Sequence, residues 1–283
     1  GQQGCYIRLS DFRGADNQGP KTLEAIQHRD CGWFFEAVQG NFKKIPGSPV
    51  AYWVSPRLRE IFVESEPVGK LLDVRQGMAT TDNNRFLRLW HEIKIGSIGF
   101  GCESAVEGNQ VGKNWFPYNK GGDFRKWYGN NYHVVHYEND GEILIDLVTR
   151  KYPRISDPEF VIKNRKYYFK PCITWSFVSS SYFGVRCSDR GFIFDVGGSS
   201  GFIDDKFQRI GFAGLLCSKT AFAFIKTLNP TLNFQVENIQ ALPSVKSFSN
   251  QMYETASNAI GLARVDWDAY ERSWDFQSLP LLT

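Results

Sequence analysis

The spacing of apolar residues gives the beginning of the chain a helical pattern. A Gly-Pro pair at positions 19–20 is typical of a helix start, and the pattern predicts mainly helix over residues 20–40. Residues 45–49 contain two prolines, which restrict the residues before them and interrupt regular structure, so we expect a boundary near residue 46. The apolar positions available for the buried face of this helix are Leu23, Ile26, Phe34, Phe35 and Val38.

From about residue 70 to 200 the pattern changes to that of strands and turns. Short runs rich in Val, Ile, Phe, Tyr and Trp are divided by Gly and Asn, most clearly at residues 85–93, 173–178 and 191–196. Residues 212–225 then have the apolar density of a helix buried on most of its surface. Residues 251–264 predict an amphipathic helix, whose apolar face contains Tyr253, Ala256, Ile260 and Ala263.

These patterns indicate an α+β fold in three parts: a helical connector over residues 1–45, a sheet-rich domain over 46–245 and a C-terminal helical segment over 246–283. The chain has 283 residues, of which 42% are hydrophobic, so a sizeable core is expected. Aromatic residues make up 15%, and we expect some of these rings to face a ligand or partner. The abrupt start in interior-like sequence suggests a piece of a longer protein.

The net charge of +3 attracts nucleic acid only weakly, so any DNA-binding surface has to be a local concentration of cations. The six cysteines are scattered without a CxxC spacing, which favours free thiols in a reducing compartment. No window approaches the roughly 20 apolar residues of a membrane span, and no N-terminal signal pattern is visible. We expect a cytoplasmic protein with no membrane partner.

The polar segment at residues 75–88 is the first candidate for chemistry. A glycine, two threonines and two asparagines precede a basic strand, so backbone N–H groups and short side chains can approach phosphate closely. Arg85 and Arg88 would supply positive charge. The alternative for this segment is an ordinary polar hairpin turn.

The second candidate is the segment at residues 113–130. It interleaves Lys, Arg and Asn with Trp and Tyr, which combines phosphate contacts, groove hydrogen bonds and stacking surfaces in one loop-rich stretch. The alternative is a solvated glycine-rich loop whose aromatic rings fold back onto the core.

Two further patterns imitate catalytic or metal sites. Residues 195–201 resemble a glycine-rich cofactor loop, but the chain lacks the Asn-Pro-Pro-Tyr or Asp-Pro-Pro-Tyr element that an amino-methyltransferase uses, so we interpret them as a turn. His133 and His136 have a spacing that could bind metal on a helix. Their surroundings predict a strand, which would point them to opposite faces.

Several segments resemble the PglX-type adenine methyltransferases of BREX phage-defence systems. They are residues 45–53 (IPGSPVAYW), 76–88 (QGMATTDNNRFLR), 119–129 (NKGGDFRKWYG), 266–267 (DW) and 273–276 (SWDF). The resemblance runs over nearly the whole chain. It implies that a catalytic domain precedes these residues in the parent protein and that they contain a target-recognition domain.

The resemblance also implies a fold and a cofactor arrangement. The expected fold is a sheet-rich target-recognition domain similar to the halves of type I specificity subunits, with flanking helices. Its TGxN-like turn would be Thr80 to Asn83, with Thr81 where glycine is common, and this departure leaves the turn geometry open. S-adenosylmethionine would bind the catalytic domain of the parent, so we expect no cofactor, metal or catalytic residue in this segment.

The expected function is sequence-specific recognition of duplex DNA for an N6-adenine methyltransferase. Lys120, Arg125 and Lys126 would contact phosphate, and side chains of the TGxN-like turn would contact a groove or the backbone. Other expected partners are the parent's own catalytic domain and other subunits of the defence system. The predicted DNA-binding residues are Thr80, Asn83, Asn84, Arg85, Tyr118, Lys120, Arg125, Lys126 and Trp127.

Two alternatives from other functional classes stay open. Glu92 and Lys94, with Asp73 or Asp82 upstream, have the loose spacing of metal-dependent nucleases. The aromatic excess would also suit a protein-binding or carbohydrate-binding module, whose binding would not fall steeply with salt as DNA binding does.

Overall fold

Residues 2–179 and 182–279 are described in a computed structural model, and they form the mixed α+β fold that the sequence predicts. The α-helices of these ranges are α1 (Ala15–Gln27), α2 (Pro56–Glu64), α3 (Asn83–Phe86), α4 (Ala105–Gln110), α5 (Glu142–Lys151), α6 (Lys206–Leu216), α7 (Lys219–Leu228), α8 (Val236–Gln240) and α9 (Asn250–Asp268). The strands are β1 (Gln3–Ile7), β2 (Phe34–Val38), β3 (Asp73–Arg75), β4 (Leu87–Leu89), β5 (Trp115–Asn119), β6 (His133–His136), β7 (Cys172–Trp175), β8 (Val185–Ser188), β9 (Ile193–Phe194) and β10 (Ser200–Phe202).

Two four-stranded sheets form the centre of the fold. Sheet A has the order β3-β10-β7-β8 and is antiparallel throughout. Sheet B has the order β4-β6-β5-β9, in which β9 runs parallel to β5 and the other neighbours are antiparallel. Each sheet has its own hydrophobic core. Trp175 packs with Phe212 of α6 beside sheet A, whereas Phe116 packs with Leu144 of α5 beside sheet B.

The helix predicted over residues 20–40 is wrong in its second half. Helix α1 ends at Gln27, and the following aromatic residues form β2, which pairs with β1 so that Cys5 lies opposite Glu36. Gly32 adopts a φ of +92°, a left-handed conformation that glycine tolerates and that is incompatible with a continuing helix. Adjacent aromatic residues favour a pleated surface once a partner strand is present, and the local sequence pattern does not identify that partner.

The buried helix predicted over residues 212–225 is two helices. Helices α6 and α7 meet at a bend of 69°, and the Ser218 hydroxyl caps α7 by accepting a hydrogen bond from the backbone N–H of Ala221 (3.0 Å). A serine at this position favours a new helix start over continuation of the first helix. Among the described helices, none alone is long and apolar enough to cross a membrane, and this bent pair passes that test only when its two halves are joined.

The strands predicted in the middle of the chain are confirmed in part. Within residues 85–93, only Leu87–Leu89 are strand, because α3 precedes them and a 3-10 turn follows. The strand predicted for the histidine pair is confirmed as β6, which lies between β4 and β5. The run at 173–178 is confirmed over its first three residues, which belong to β7, and the run at 191–196 over its two central residues, β9.

The amphipathic helix predicted near the end of the chain is confirmed as α9. It packs against α6, with Ala256 and Trp267 buried, so its predicted apolar face does point inward. Its outer face exposes two apolar side chains, Leu262 (73% exposed) and Val265 (71% exposed). The domain limits at residues 45 and 245 stay predictions.

The two sheets are joined by two segments that run side by side. After β3 in sheet A, residues 76–79 lead to α3 and β4 in sheet B, and after β9 in sheet B, residues 195–199 lead back to β10 in sheet A. The segments meet in a parallel bridge between Met78 and Asp195. The first candidate segment therefore lies at the junction of both sheets.

Candidate nucleic-acid interface

The junction leaves no space for side chains at its narrowest point. A Cβ atom on Gly77 would stand 2.0 Å from the carbonyl oxygen of Phe194, which is closer than any real side chain allows. The backbone N–H of Met78 donates to that same carbonyl at 3.0 Å. Glycine at position 77 thus lets the first crossing segment pair directly with the second.

The exposed turn after this crossing carries the predicted groove contacts. Thr80 is 2% exposed, and its hydroxyl donates to the side-chain oxygen of Asn83, which fixes the turn from the inside. Asn83, Asn84 and Arg85 are exposed. Arg88 donates to the backbone carbonyl of Asn84 at 2.6 Å, so this arginine closes α3 and is partly used within the fold. The short helix therefore exposes three polar residues, although the side-chain oxygen of Asn83 is already bonded to Thr80 and the guanidinium of Arg85 lies 5.2 Å from the ring centre of Phe86.

Thr81 resolves the turn geometry that the sequence left open. Its φ is +59°, the left-handed conformation in which glycine is usual, so the threonine adopts the backbone that a TGxN-like turn would need. Its hydroxyl oxygen is buried and has no hydrogen-bond partner within the described residues. Its carbonyl accepts a hydrogen bond from the ammonium group of Lys151 (3.0 Å). Thr81 is thus a β-branched residue in a left-handed conformation, which carries a steric cost.

A buried carboxylate connects the two predicted segments. Asp195 accepts a hydrogen bond from the hydroxyl of Tyr118 (2.8 Å) and another from the backbone N–H of Gly197 (2.6 Å). Lys120 forms an ion pair with the same carboxylate at 3.5 Å and is 29% exposed. Burial, and then the charge of Asp195, raise the pKa of Tyr118 well above its ordinary value of 10, so this tyrosine stays protonated and donates. Tyr118 is 1% exposed and supports the site from beneath.

A cleft opens between the turn and this buried carboxylate. It has a volume of about 290 Å³ and is lined by Ala79, Thr80, Thr81, Asn83, Lys120, Asp195 and Val196. His133 lies close enough for the charge of Lys120 to act on it. Burial first, and Lys120 second, lower the pKa of His133 below its ordinary value of 6.5, so its imidazole is neutral at physiological pH. The turn and the cleft together place Asn83 and Lys120 on one surface.

The structure places Arg125 and Lys126 against other parts of the chain. Arg125 forms an ion pair with Asp266 (3.1 Å) and stacks 4.9 Å from the ring centre of Trp267, both on α9. The ammonium group of Lys126 donates to the backbone carbonyl of Cys217 at 2.7 Å. Two of the three cations that the sequence assigned to phosphate therefore already have partners within the fold, and the third, Lys120, pairs with Asp195.

Trp127 is part of the same internal arrangement. Its backbone N–H donates to the carbonyl of Val185 in β8 at 2.7 Å, and its side chain packs against the core of sheet A. Gly129, at a φ of +112°, allows the Trp267 ring to pack so close that an added Cβ atom would stand 2.6 Å from it. The loop at residues 121–129 therefore holds α9 to sheet A.

The glycine-rich residues 195–201 form the turn that the sequence predicts, and their last two residues begin β10. A Cβ atom on Gly198 would stand 2.0 Å from the carbonyl oxygen of Asn119, and one on Gly197 would stand 3.0 Å from that of Lys120. These glycines are needed for contact with the chain itself.

The residues behind the nuclease alternative have local structural roles. Asp82 caps α3, Asp73 pairs with Arg75 at 2.7 Å, and the carboxylate of Glu92 accepts the backbone N–H of Leu89 at 2.7 Å. In the ranges 2–179 and 182–279, no group of three or more His, Cys, Asp or Glu side chains could hold a metal ion. Part of the aromatic content builds the interior, since eighteen Phe, Tyr and Trp residues of the described ranges are buried.

A basic segment that was not predicted from the sequence lies beside the crossing. The ammonium group of Lys163 donates to the side chain of Gln76 (2.9 Å), and the amide of Asn164 donates to the Gln76 carbonyl (2.9 Å). Lys151 reaches Thr81 from α5. The signal for this segment was present as a concentration of cations at residues 163–170, but only the fold brings it to the candidate site.

No protein-family model matches the chain. The adenine-specific methyltransferase PglX of Lacticaseibacillus casei (strain Zhang) is 37% identical over 281 residues, which are 99% of this chain and 23% of that protein. The adenine-specific methyltransferase BrxX of Escherichia coli O9:H4 (strain HS) is 32% identical over 280 residues, which are 98% of this chain and 21% of that protein. The chain spans less than a quarter of the length of these curated relatives.

Proposed function

We propose, from the premise that this chain is part of a PglX-type protein, that it binds duplex DNA and recognises the target site of an N6-adenine methyltransferase. The observation that carries the proposal is the exposed turn with Asn83, Asn84 and Arg85 at the edge of a polar cleft. Amide side chains pair with adenine edges in the major groove, and arginine pairs with guanine or phosphate. The turn offers both kinds of group on one short helix.

The supporting residues give this turn a fixed position. Thr80 holds Asn83 from within, and Asp195 orients Lys120 at the floor of the cleft. Lys120 remains partly exposed, so it can share its charge between Asp195 and a phosphate. Held in this way, the turn presents its amides with little loss of conformational freedom on binding.

The methyl transfer itself would belong to the parent protein. S-adenosylmethionine supplies the methyl group in that chemistry, and this segment would position one adenine for extrusion from the duplex towards the catalytic domain. Within this segment, Arg125, Lys126 and Trp127 would act by holding α9 and sheet A together. The other subunits of a defence system would be partners of the parent protein.

Fluorescence anisotropy with a labelled duplex at two salt concentrations tests the proposal. The variant Asn83→Ala/Asn84→Ala/Arg85→Ala should bind about ten-fold more weakly or worse, which corresponds to a loss of about 1.4 kcal/mol. The control variant Arg13→Ala/Asn250→Ala/Asn258→Ala removes the same side-chain types at exposed positions outside the turn and should bind like the wild type.

Three results would contradict the proposal. They are the absence of salt-sensitive DNA binding by the wild type, equal loss of affinity in the control variant, and unchanged affinity in the turn variant. Binding restricted to an oligosaccharide and insensitive to salt would favour the carbohydrate-binding alternative.

A further inference from the structure

Three cations surround one tyrosine at the edge of sheet A. The ring centre of Tyr167 lies 5.3 Å from the guanidinium of Arg75, 5.2 Å from the ammonium of Lys166 and 5.8 Å from the ammonium of Lys170. Arg75 also donates to the Tyr167 hydroxyl at 3.3 Å. We call these four residues the Tyr167 cluster.

The local charge of this region exceeds that of the whole protein. Residues 161–170 contain four cations and no carboxylate, whereas the net charge of the 283-residue chain is +3. One of the four, Arg165, is used internally, because it pairs with Asp140 and donates to the hydroxyl of Tyr137 at 3.2 Å. Lys166 and Lys170 are exposed, and their contacts with the ring are each worth only about 0.5–1 kcal/mol. These like charges repel one another, so an anion that contacts several of them at once would lower their electrostatic energy.

The carboxylates nearby limit where such an anion can lie. Asp73 is paired with Arg75, and it lines a cleft of about 310 Å³ together with Asp204, Tyr167 and Lys170. A phosphate inside this cleft would meet both carboxylates. The accessible positive surface is therefore the outer side, formed by the two lysine ammonium groups.

The cluster is continuous with the proposed DNA-binding turn. From Arg75 the chain runs through Gln76 and Gly77 to Thr80. Within this segment, the side chain of Gln76 accepts a hydrogen bond from Lys163. Five residues of extended chain span at most about 18 Å. Because one strand of duplex DNA carries a phosphate about every 3.4 Å along the helix axis, this distance corresponds to about five base steps.

We infer that the outer face of the Tyr167 cluster, Lys166 and Lys170 supported by Arg75, binds the phosphate backbone of duplex DNA a few base pairs away from the base-reading turn. The inference rests on the proposed function, since it assigns a second contact surface for the same duplex. Phosphate contacts of this kind set the register and orientation of a protein on DNA and carry no sequence information themselves. The turn would then be placed over the target by a separate electrostatic contact.

The variant Lys166→Ala/Lys170→Ala tests this inference by anisotropy over a salt series. It should bind duplex DNA about ten-fold more weakly at moderate salt, and its slope of log affinity against log salt should be smaller by about 1.8, or about 0.9 for each lost phosphate contact. The loss should be the same for different duplex sequences. The control Lys43→Ala/Lys44→Ala removes equal charge from two exposed lysines outside the cluster and should keep the wild-type slope.

The outcomes separate this inference from the proposed function. If the wild type binds DNA and the cluster variant has the same affinity and the same salt slope, the inference is overturned. DNA recognition by the chain would remain supported. No DNA binding by the wild type would overturn both. If the cluster variant lost affinity for only some duplex sequences, the inference would also be overturned, because the cluster would then read bases. Equal binding of polyglutamate through the same two lysines would replace DNA with an acidic protein partner.

Discussion

The turn at Thr80 to Arg85 and the loop at Gly121 to Gly129 contain similar residue types, yet the fold uses them differently. In the turn, Asn83, Asn84 and Arg85 are exposed, and the internal side-chain bond runs from the buried Thr80 hydroxyl to the side-chain oxygen of Asn83. In the loop, both predicted phosphate contacts, Arg125 and Lys126, are bonded to distant parts of the chain. A cation beside an aromatic residue in the sequence can therefore belong to a DNA-binding surface or to a contact within the fold. The two cases are distinguished by whether the folded chain brings a carboxylate or a carbonyl group to that cation.

The largest expected effect comes from removing the ring on which the loop packs. Trp267→Ala should lower the free energy of unfolding by about 3–5 kcal/mol, because a buried indole is replaced by a cavity beneath Arg125 and Gly129. Urea denaturation measures this. Leu262→Ala, on the exposed face of the same helix, should change stability by no more than about 0.5 kcal/mol. Equal stability of the Trp267 variant and the wild type would mean that the loop does not anchor α9.

The next largest effect is a loss of stability without a loss of DNA affinity, which distinguishes the loop from the turn. Arg125→Ala/Lys126→Ala should lower the free energy of unfolding by about 1–3 kcal/mol, since the Cys217 carbonyl loses its donor and Trp267 loses a packed guanidinium. Its DNA affinity, measured at a temperature where it is folded, should stay within about two-fold of the wild type. Weaker DNA binding with unchanged stability would return the phosphate contact to this loop, as its composition first suggests.

These two segments also show what could be predicted from the sequence. The residue types in both are those of polar, phosphate-binding loops, and the resemblance to PglX-type proteins placed the whole chain correctly. The bond from Lys126 joins residues 91 positions apart, and the ion pair from Arg125 joins residues 141 apart. Local patterns contain no information on partners at such separations. The strand at residues 34–38 was missed for the same reason, because its partner strand lies about 30 residues earlier.

A smaller effect is expected at the left-handed residue of the turn. Thr81→Gly should raise the free energy of unfolding by about 1 kcal/mol, because glycine adopts a φ of +59° without the steric cost that a Cβ atom brings. Thr81→Ala keeps the Cβ atom and removes only the unpartnered hydroxyl, so it separates the two contributions. Chemical denaturation of both variants at one pH provides the measurement. A glycine variant less stable than the alanine variant would show that the turn does not hold this conformation.

The smallest effect is a pH dependence of stability that arises from the two histidines of β6. Burial lowers the pKa values of His133 and His136 below 6.5 in the folded protein, so the unfolded chain binds more protons at acidic pH. Their contribution to stability is therefore complete above pH 6.5 and is lost as the pH falls through the folded pKa values. His133→Gln/His136→Gln should show a smaller drop in urea midpoint between pH 7.5 and pH 5.5 than the wild type does. The same drop in both proteins would contradict this assignment.

Hydrogen–deuterium exchange of the chain with and without duplex DNA compares the two regions in one experiment. We expect DNA to slow backbone exchange in peptides covering residues 79–90, where the turn and α3 expose Asn83, Asn84 and Arg85. Peptides covering residues 121–129 should exchange equally with and without DNA, because that loop is already bonded to α9 and β8. Protection confined to residues 121–129, with no change at residues 79–90, would contradict the assignment of the DNA-binding surface.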